Sequence, residues 1–255
     1  MRKSFLYKFT FLVLIVAFST NAHAQRRKVL NLPAYDQQPY HFGFILAANN
    51  MLFTVKPIDN LSFKKWNSDQ SPDIFADSLF VYSVTSHGTP GFSIGILGNL
   101  RIGKYTDLRF VPTLSFGERM LSYSIMAYKD GESSLIEVDK SITSTILEFP
   151  LFVKYKSKRL NNFAAYVTGG LKYTLDLASQ KKSENVNDVT VKLNKNDFMA
   201  EVGVGFDFYT NYFKFGTEIR MGYGLLNLIK HEGNLYSDSI ERLNSKIFLL
   251  SFTFE

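Results

Sequence analysis

The chain of 255 residues contains no cysteine. A disulfide framework, a thiolate zinc site and a cysteine nucleophile are therefore excluded. Histidine is scarce, with four residues, one of them (His23) close to the N-terminus. Three remaining histidines are a poor basis for a histidine-rich metal site. Tryptophan occurs once, as Trp66. Long apolar runs are also missing. The only extended one, Phe9 to Phe18, is shorter than the roughly 20 residues a membrane-crossing helix needs. A membrane location for the rest of the chain requires a closed β-barrel, the other structure that satisfies its backbone in lipid.

The first residues read as a secretory leader. Arg2, Lys3 and Lys8 precede the apolar run, and Ala22-His23-Ala24 gives a small-x-small cleavage pattern before Gln25. These are the three parts of a signal peptide, expected over 1–24 with cleavage after Ala24. An uncleaved inner-membrane anchor is the weaker alternative. The full chain carries +6; without the three leader cations the mature chain carries about +3. So weak an excess does not support a nucleic-acid partner.

What is abundant is aromatic: 24 Phe and 14 Tyr. Many of them alternate with polar residues at period two, the mark of a strand with two different faces. Eight such segments run over Tyr40–Asn49, Pro90–Arg101, Asp107–Glu118, Thr143–Lys156, Asn162–Asp176, Asp197–Tyr209, Phe213–Gly224 and Lys246–Phe254. Soluble strands are usually about 5–6 residues long, whereas a tilted membrane-crossing strand needs about 9–11; these segments match the second. Links alternate without exception. Short ones (Ile102 to Thr106, Ser157 to Asn161, Thr210 to Tyr212) follow strands two, four and six. Long ones, roughly 40 residues after strand one and about 20 after strands three, five and seven, fall between. This predicts an all-β fold: an eight-stranded, antiparallel, up-and-down transmembrane β-barrel with four long extracellular loops and short periplasmic turns. The barrel domain is expected over 40–255, preceded by a periplasmic tail, 25–39, that begins Gln25-Arg26-Arg27-Lys28 and reads as a solvated linker. A secreted lipocalin-like calyx shares the strand number, but the charges on the polar face suit a packed polar lumen better than an apolar cavity. Localisation in the outer membrane follows.

Eight strands enclose little more than their own side chains, so the lumen is expected to be plugged. On the alternation, Arg109, Glu148, Lys172, Glu201, Glu218 and Arg220 face it, and structural ion pairing explains them better than catalysis. His87 and His231, with Ser83, Ser86 and Ser237, fall in the predicted outer loops. No nucleophile triad can be argued from them, because triads are defined by geometry. His41 faces the lumen as a packed residue. Gly169-Gly170 and Gly203-Val204-Gly205 lie inside strands with no following helix, which excludes a phosphate loop. The first long loop carries Phe63, Trp66, Phe75, Phe80 and Tyr82. Such a cluster makes either a folded cap or a partner-binding patch.

Pro39-Tyr40-His41-Phe42-Gly43-Phe44, followed by Leu46 and Asn49 and preceded by Leu32-Pro33-Ala34-Tyr35-Asp36, resembles the opening of the PorT (SprT) family, components of the type IX secretion system of Bacteroidota. Leu147-Glu148-Phe149-Pro150-Leu151, followed by Lys154-Tyr155, is similar to the wider set of outer-membrane β-barrel domains. The resemblance implies a non-enzymatic outer-membrane factor for export of cargo bearing a C-terminal secretion signal, and for gliding motility in gliding species. It implies no cofactor and no metal. Partners would be outer-membrane lipid and other secretion components, with no nucleic acid and no small-molecule substrate. Competing readings are an adhesin or envelope stabiliser and a lipid-modifying enzyme.

Overall fold

Period-two alternation sends successive side chains to opposite faces of a strand, and a closed sheet turns those faces into a lumen and an outer wall. The computed structural model describes residues 29–178 and 191–255. Its strands are β1 (Tyr40–Pro57), β2 (Ser78–Arg101), β3 (Thr106–Phe110), β4 (Thr113–Lys129), β5 (Glu132–Lys156), β6 (Phe163–Asp176), β7 (Asn196–Tyr209), β8 (Lys214–Gly224) and β9 (Ile240–Phe254). Each pairs antiparallel with its neighbours, and β9 returns to β1 with Phe44 opposite Phe254. β3 and β4 both lie between β2 and β5, so nine strands make a ring of eight staves. The sequence predicted one continuous third strand. Pro112 interrupts it because proline has no N–H to give the ladder. The flanking contacts hold across the gap: Ile96 N–H donates to the Pro112 carbonyl at 3.0 Å, and the Thr113 hydroxyl to the Val111 carbonyl at 2.7 Å.

The outer wall is apolar. Leu46, Ile94, Ile96, Leu151, Val153, Leu171, Val202, Val204 and Ile219 are all exposed. Aromatic rows flank this aliphatic band. Toward the termini, Phe44, Phe254, Phe215, Phe208 and Phe163 form a chain of ring contacts across five staves. On the far side lie Phe92 with Phe116, and Phe149 with Tyr173 and Phe198. Two aromatic girdles around an apolar belt are the signature of an outer-membrane barrel.

Beyond the far girdle the arrangement inverts. The interior there becomes apolar, with Phe53, Leu79, Leu121, Tyr123, Ile142, Leu235, Tyr236, Ile240 and Leu243 in one buried cluster. The extracellular end is therefore packed like a soluble domain. Two of the long loops differ from the sequence expectation as a result. The link after β1 is 58–77, because β1 and β2 run farther outward than their alternation showed. The link between β4 and β5 is a two-residue turn, Asp130-Gly131, with φ of 50° and 85°. Positive φ at both positions is the type I′ geometry of a tight hairpin. The turn sits on a ladder unbroken from Thr113 opposite Glu148 to Lys129 opposite Glu132.

The predicted signal segment 1–24, with Ala22-His23-Ala24, and the basic residues Arg26, Arg27 and Lys28 lie outside the described residues. From Val29 the tail is visible, and it is no solvated linker. Asn31 N–H donates to Asn162 Oδ1 at 2.9 Å, and the Arg159 guanidinium binds the carbonyls of Asn31 and Leu32. The tail lies across the periplasmic mouth because its backbone groups find partners in the short turns there.

Candidate functional site

The described part of the chain has one continuous polar interior, and it is built as a stack of ion pairs. At the periplasmic mouth, Tyr35 of the tail stacks on His41 with ring centroids 4.0 Å apart. Asp36 accepts a hydrogen bond from the Tyr209 hydroxyl at 2.8 Å and lies 3.6 Å from Lys156 Nζ and 3.9 Å from Arg159. The next layer pairs Lys156 with Asp107 at 2.9 Å, and Asp107 also accepts from Asn99 at 3.0 Å. Above it, the Glu255 carboxylate binds Lys214 at 2.6 Å and Arg109 at 2.9 Å, beside Lys154 paired to Asp207 at 2.7 Å.

A mid-lumen layer is made by Arg109, Glu148, Lys172, Glu201, Glu218 and Arg220. Arg109 reaches Glu218 at 3.3 Å. Glu218 also accepts from Tyr166 at 3.0 Å and Thr168 at 2.8 Å, and meets Arg220 at 3.4 Å. Arg220 is 3.7 Å from Glu201. Lys172 bridges Glu201 and Glu148, the latter at 2.9 Å. All six are buried. Two glycines make the room. A Cβ on Gly203 would stand 2.7 Å from the Thr168 hydroxyl, and one on Gly222 2.7 Å from a Glu201 oxygen. These glycines permit close approach inside a strand. The topmost layer is Arg119, paired to Asp176 at 2.8 Å, bonded to Ser144 and Ser245, and stacked over Phe53 at 4.4 Å. Here the polar lumen meets the apolar cap.

The sequence list missed Arg119, Lys154, Asp207, Lys214 and Glu255. Lys154, Asp207 and Lys214 already stood on the polar faces of their strands. Arg119 lay one residue beyond the predicted end of strand three.

The candidate partner loop is divided by the structure. Phe63 and Phe75 are 84% and 85% exposed. Trp66 is 1% exposed, bridged to Leu79 through paired backbone bonds of 2.9 and 3.0 Å. It belongs to the cap core and presents nothing to a partner. Phe80 and Tyr82 sit on β2, not in a loop, with Phe80 edge-on to Tyr128. Asp73 ties this loop down: it accepts from Tyr236 at 2.6 Å, Ser71 at 2.8 Å and Lys140 at 2.9 Å. Burial raises its pKa, but those three donors outweigh burial and hold the carboxyl below its ordinary 3.8.

The outer serines and histidines do not converge. His87, Ser83 and Ser86 are on β2, and Ser86 accepts from Phe53 N–H. Ser237 is buried in the helical turn Leu235–Asp238 and donates to Asp238 at 2.8 Å, while His231 reaches the same carboxylate at 3.4 Å. The Ser237 hydroxyl donates to that carboxylate and not to His231, so the histidine is not placed as a base for Ser237. Among the described residues, no group of three His, Cys, Asp or Glu side chains could hold a metal ion.

The family model for the outer membrane protein beta-barrel domain matches residues 34–230. Among solved structures, Neisserial surface protein A (NspA) is similar at 11% identity, covering 85% of this chain and 99% of that one, with a TM-score of 0.41. The outer membrane protein OprG from Pseudomonas aeruginosa is similar at 12% identity, covering 83% and 95%, with a TM-score of 0.38. No curated protein matches the chain. With a family match over most of its staves, the chain belongs to the outer membrane protein beta-barrel domain family and resides in the outer membrane.

Proposed function

We propose that this barrel is a non-enzymatic component of the type IX protein secretion system, needed for cargo export and acting through protein contacts. The observation that carries the mode of action is the filled interior. Ion pairs occupy the lumen from Asp36 to Arg119, the tail covers one end and an apolar cap the other. A barrel so filled serves export as a scaffold, with its rim and outer wall for other secretion components and outer-membrane lipid. The assignment to this system rests on the resemblance of the first strand and its leading segment to the PorT family. In its support, the residues carrying that resemblance, Tyr35, Asp36 and His41, are those that close the periplasmic mouth.

A clean deletion tests the reading. Cargo with C-terminal secretion signals should then accumulate in the periplasm. Cargo reaching the medium and the surface in normal amounts would refute it. The adhesin or envelope-stabiliser reading draws on the tall extracellular end with its exposed Phe63 and Phe75, and predicts normal export with lost attachment.

A further inference from the structure

The outer wall is electrically uneven just beyond the far girdle, and β9 carries two cations there. By the alternation of that strand, Leu250, Phe248, Lys246 and Arg242 point outward, while Leu249, Ile247 and Leu243 are buried. Phe248 stands at the height of the girdle. It pairs with Asn50, one outward step from Ala48, which is the partner of Phe92. Lys246 and Arg242 follow on the extracellular side, about 13 Å apart along the strand.

Among the described residues neither cation has an ion-pair partner. Lys246 holds its Nζ 5.2 Å over the Phe248 ring, with Tyr223 as its neighbour on β8. Arg242 gives one N–H to the Leu225 carbonyl at 3.1 Å, which orients a fork of five donors. Asn244, between the two, binds the carbonyls of Gly224 and Leu226 at 3.0 and 2.8 Å and fixes the wall beneath them. Lys56, opposite Arg242 on β1, is already neutralised by Glu241 at 2.7 Å. Four staves away, the outward charges of β5 are acidic, with Glu137 and Asp139 exposed. The described residues on either side of 179–190 lie elsewhere: Leu177 is bonded to Thr145 of β5, and Val191 is buried in the cap.

We propose that Lys246 and Arg242 bind a phosphate of an outer-leaflet glycolipid, whose acyl chains lie along Tyr223, Phe248 and Leu250. Hydrogen bonds from ionised donors to phosphate are among the strong ones, and the guanidinium fork matches phosphate geometry. Basic clusters beside a membrane recognise anionic lipid headgroups. The girdle decides between a lipid and an acidic protein segment, because it sets both cations at the height where headgroups already surround the barrel. A free anion would leave the apolar side of the site unused, where Leu225, Leu226 and Phe248 are exposed. The inference rests on residence in the outer membrane and stands whether or not the secretion role holds.

Native mass spectrometry of the full chain, released from detergent micelles with added lipid, reads the binding. Lipid A bearing its phosphates should be retained, and removing those phosphates should weaken retention at least tenfold on the native protein. Arg242→Gln together with Lys246→Gln should weaken it as much, with unchanged gel mobility. Lys129→Gln together with Lys158→Gln removes two exposed cations elsewhere and should leave retention as it was. Equal retention of the dephosphorylated lipid would reduce the contact to the apolar wall and overturn the proposal. Displacement of the lipid by an equal concentration of inorganic phosphate would assign the cations to a free anion and overturn it too. In intact cells, Lys246→benzoylphenylalanine should crosslink to lipid on irradiation. Crosslinks to protein instead would give this face to an acidic protein partner.

Discussion

Lys154 on β5 and Asp207 on β7 face each other across the lumen, Nζ 2.7 Å from Oδ2, with neither side chain exposed to solvent. Lys154 also lies 3.6 Å over the Tyr166 ring. Removing one partner strands a buried charge, which costs about 3–5 kcal/mol, whereas replacing both with apolar residues of similar volume is often neutral. Lys154→Met should destabilise the barrel by about that amount, and adding Asp207→Leu should restore most of it. Urea unfolding in lipid vesicles reads both values. Equal loss in the single and double variants would contradict the ion-pair account.

Trp66 gives the cap its own reporter, since it is the only tryptophan. Buried against Leu79, it should emit at short wavelength and resist acrylamide quenching. Trp66→Ala removes a large core side chain, a loss of about 3–5 kcal/mol, and should unfold the cap while the membrane staves persist. Phe63→Ala and Phe75→Ala are surface changes and should stay within about 0.5 kcal/mol. Protease mapping of 58–77 distinguishes the two classes.

The Asp73 clasp sets a pH limit on the same loop. Its folded pKa lies below the ordinary 3.8. A depressed carboxylate contributes stability that is present above the unfolded pKa and is lost as pH falls through the folded one. Wild-type loop 58–77 should therefore become protease-sensitive only below about pH 4. Asp73→Asn should be sensitive already at pH 7 and lose much of the acid dependence. An unchanged acid profile in Asp73→Asn would place the loop's pH sensitivity elsewhere.

The tail makes a separate, local prediction. Asp36→Ala removes the acceptor of the Tyr209 bond and the partner of Lys156 and Arg159. Chymotrypsin should then cut the tail at Tyr35 at least tenfold faster, with no change in the barrel's gel mobility. Unaltered cleavage would mean that Asn31 and Arg159 hold the tail without Asp36.

The staves were legible because lipid and lumen impose opposite demands on alternate side chains. Phe42 beside His41 and Ile219 beside Glu218 carry that contrast in any window of a few residues. The contrast inverts where β2, β4 and β5 leave the bilayer, since Leu121, Tyr123 and Ile125 turn inward there and Ser122 and Ser124 outward. The β4–β5 hairpin was thus read as a loop, although Asp130-Gly131 is a strong short-range turn signal. The six mid-lumen charges were readable as facing inward, but not who meets whom. Arg109 and Glu218 are 109 residues apart, and only the stagger of the closed sheet brings them level. The tail's lid was illegible for the same reason: Asp36 meets Tyr209 across 173 residues.

Conductance of the purified chain in planar lipid bilayers tests the central claim most directly, that the barrel is filled and acts by contact instead of passage. Wild-type protein, inserted and shown to be folded by its gel mobility, should give no steady ionic current at neutral pH. Reproducible single-channel steps from the wild-type chain would contradict it.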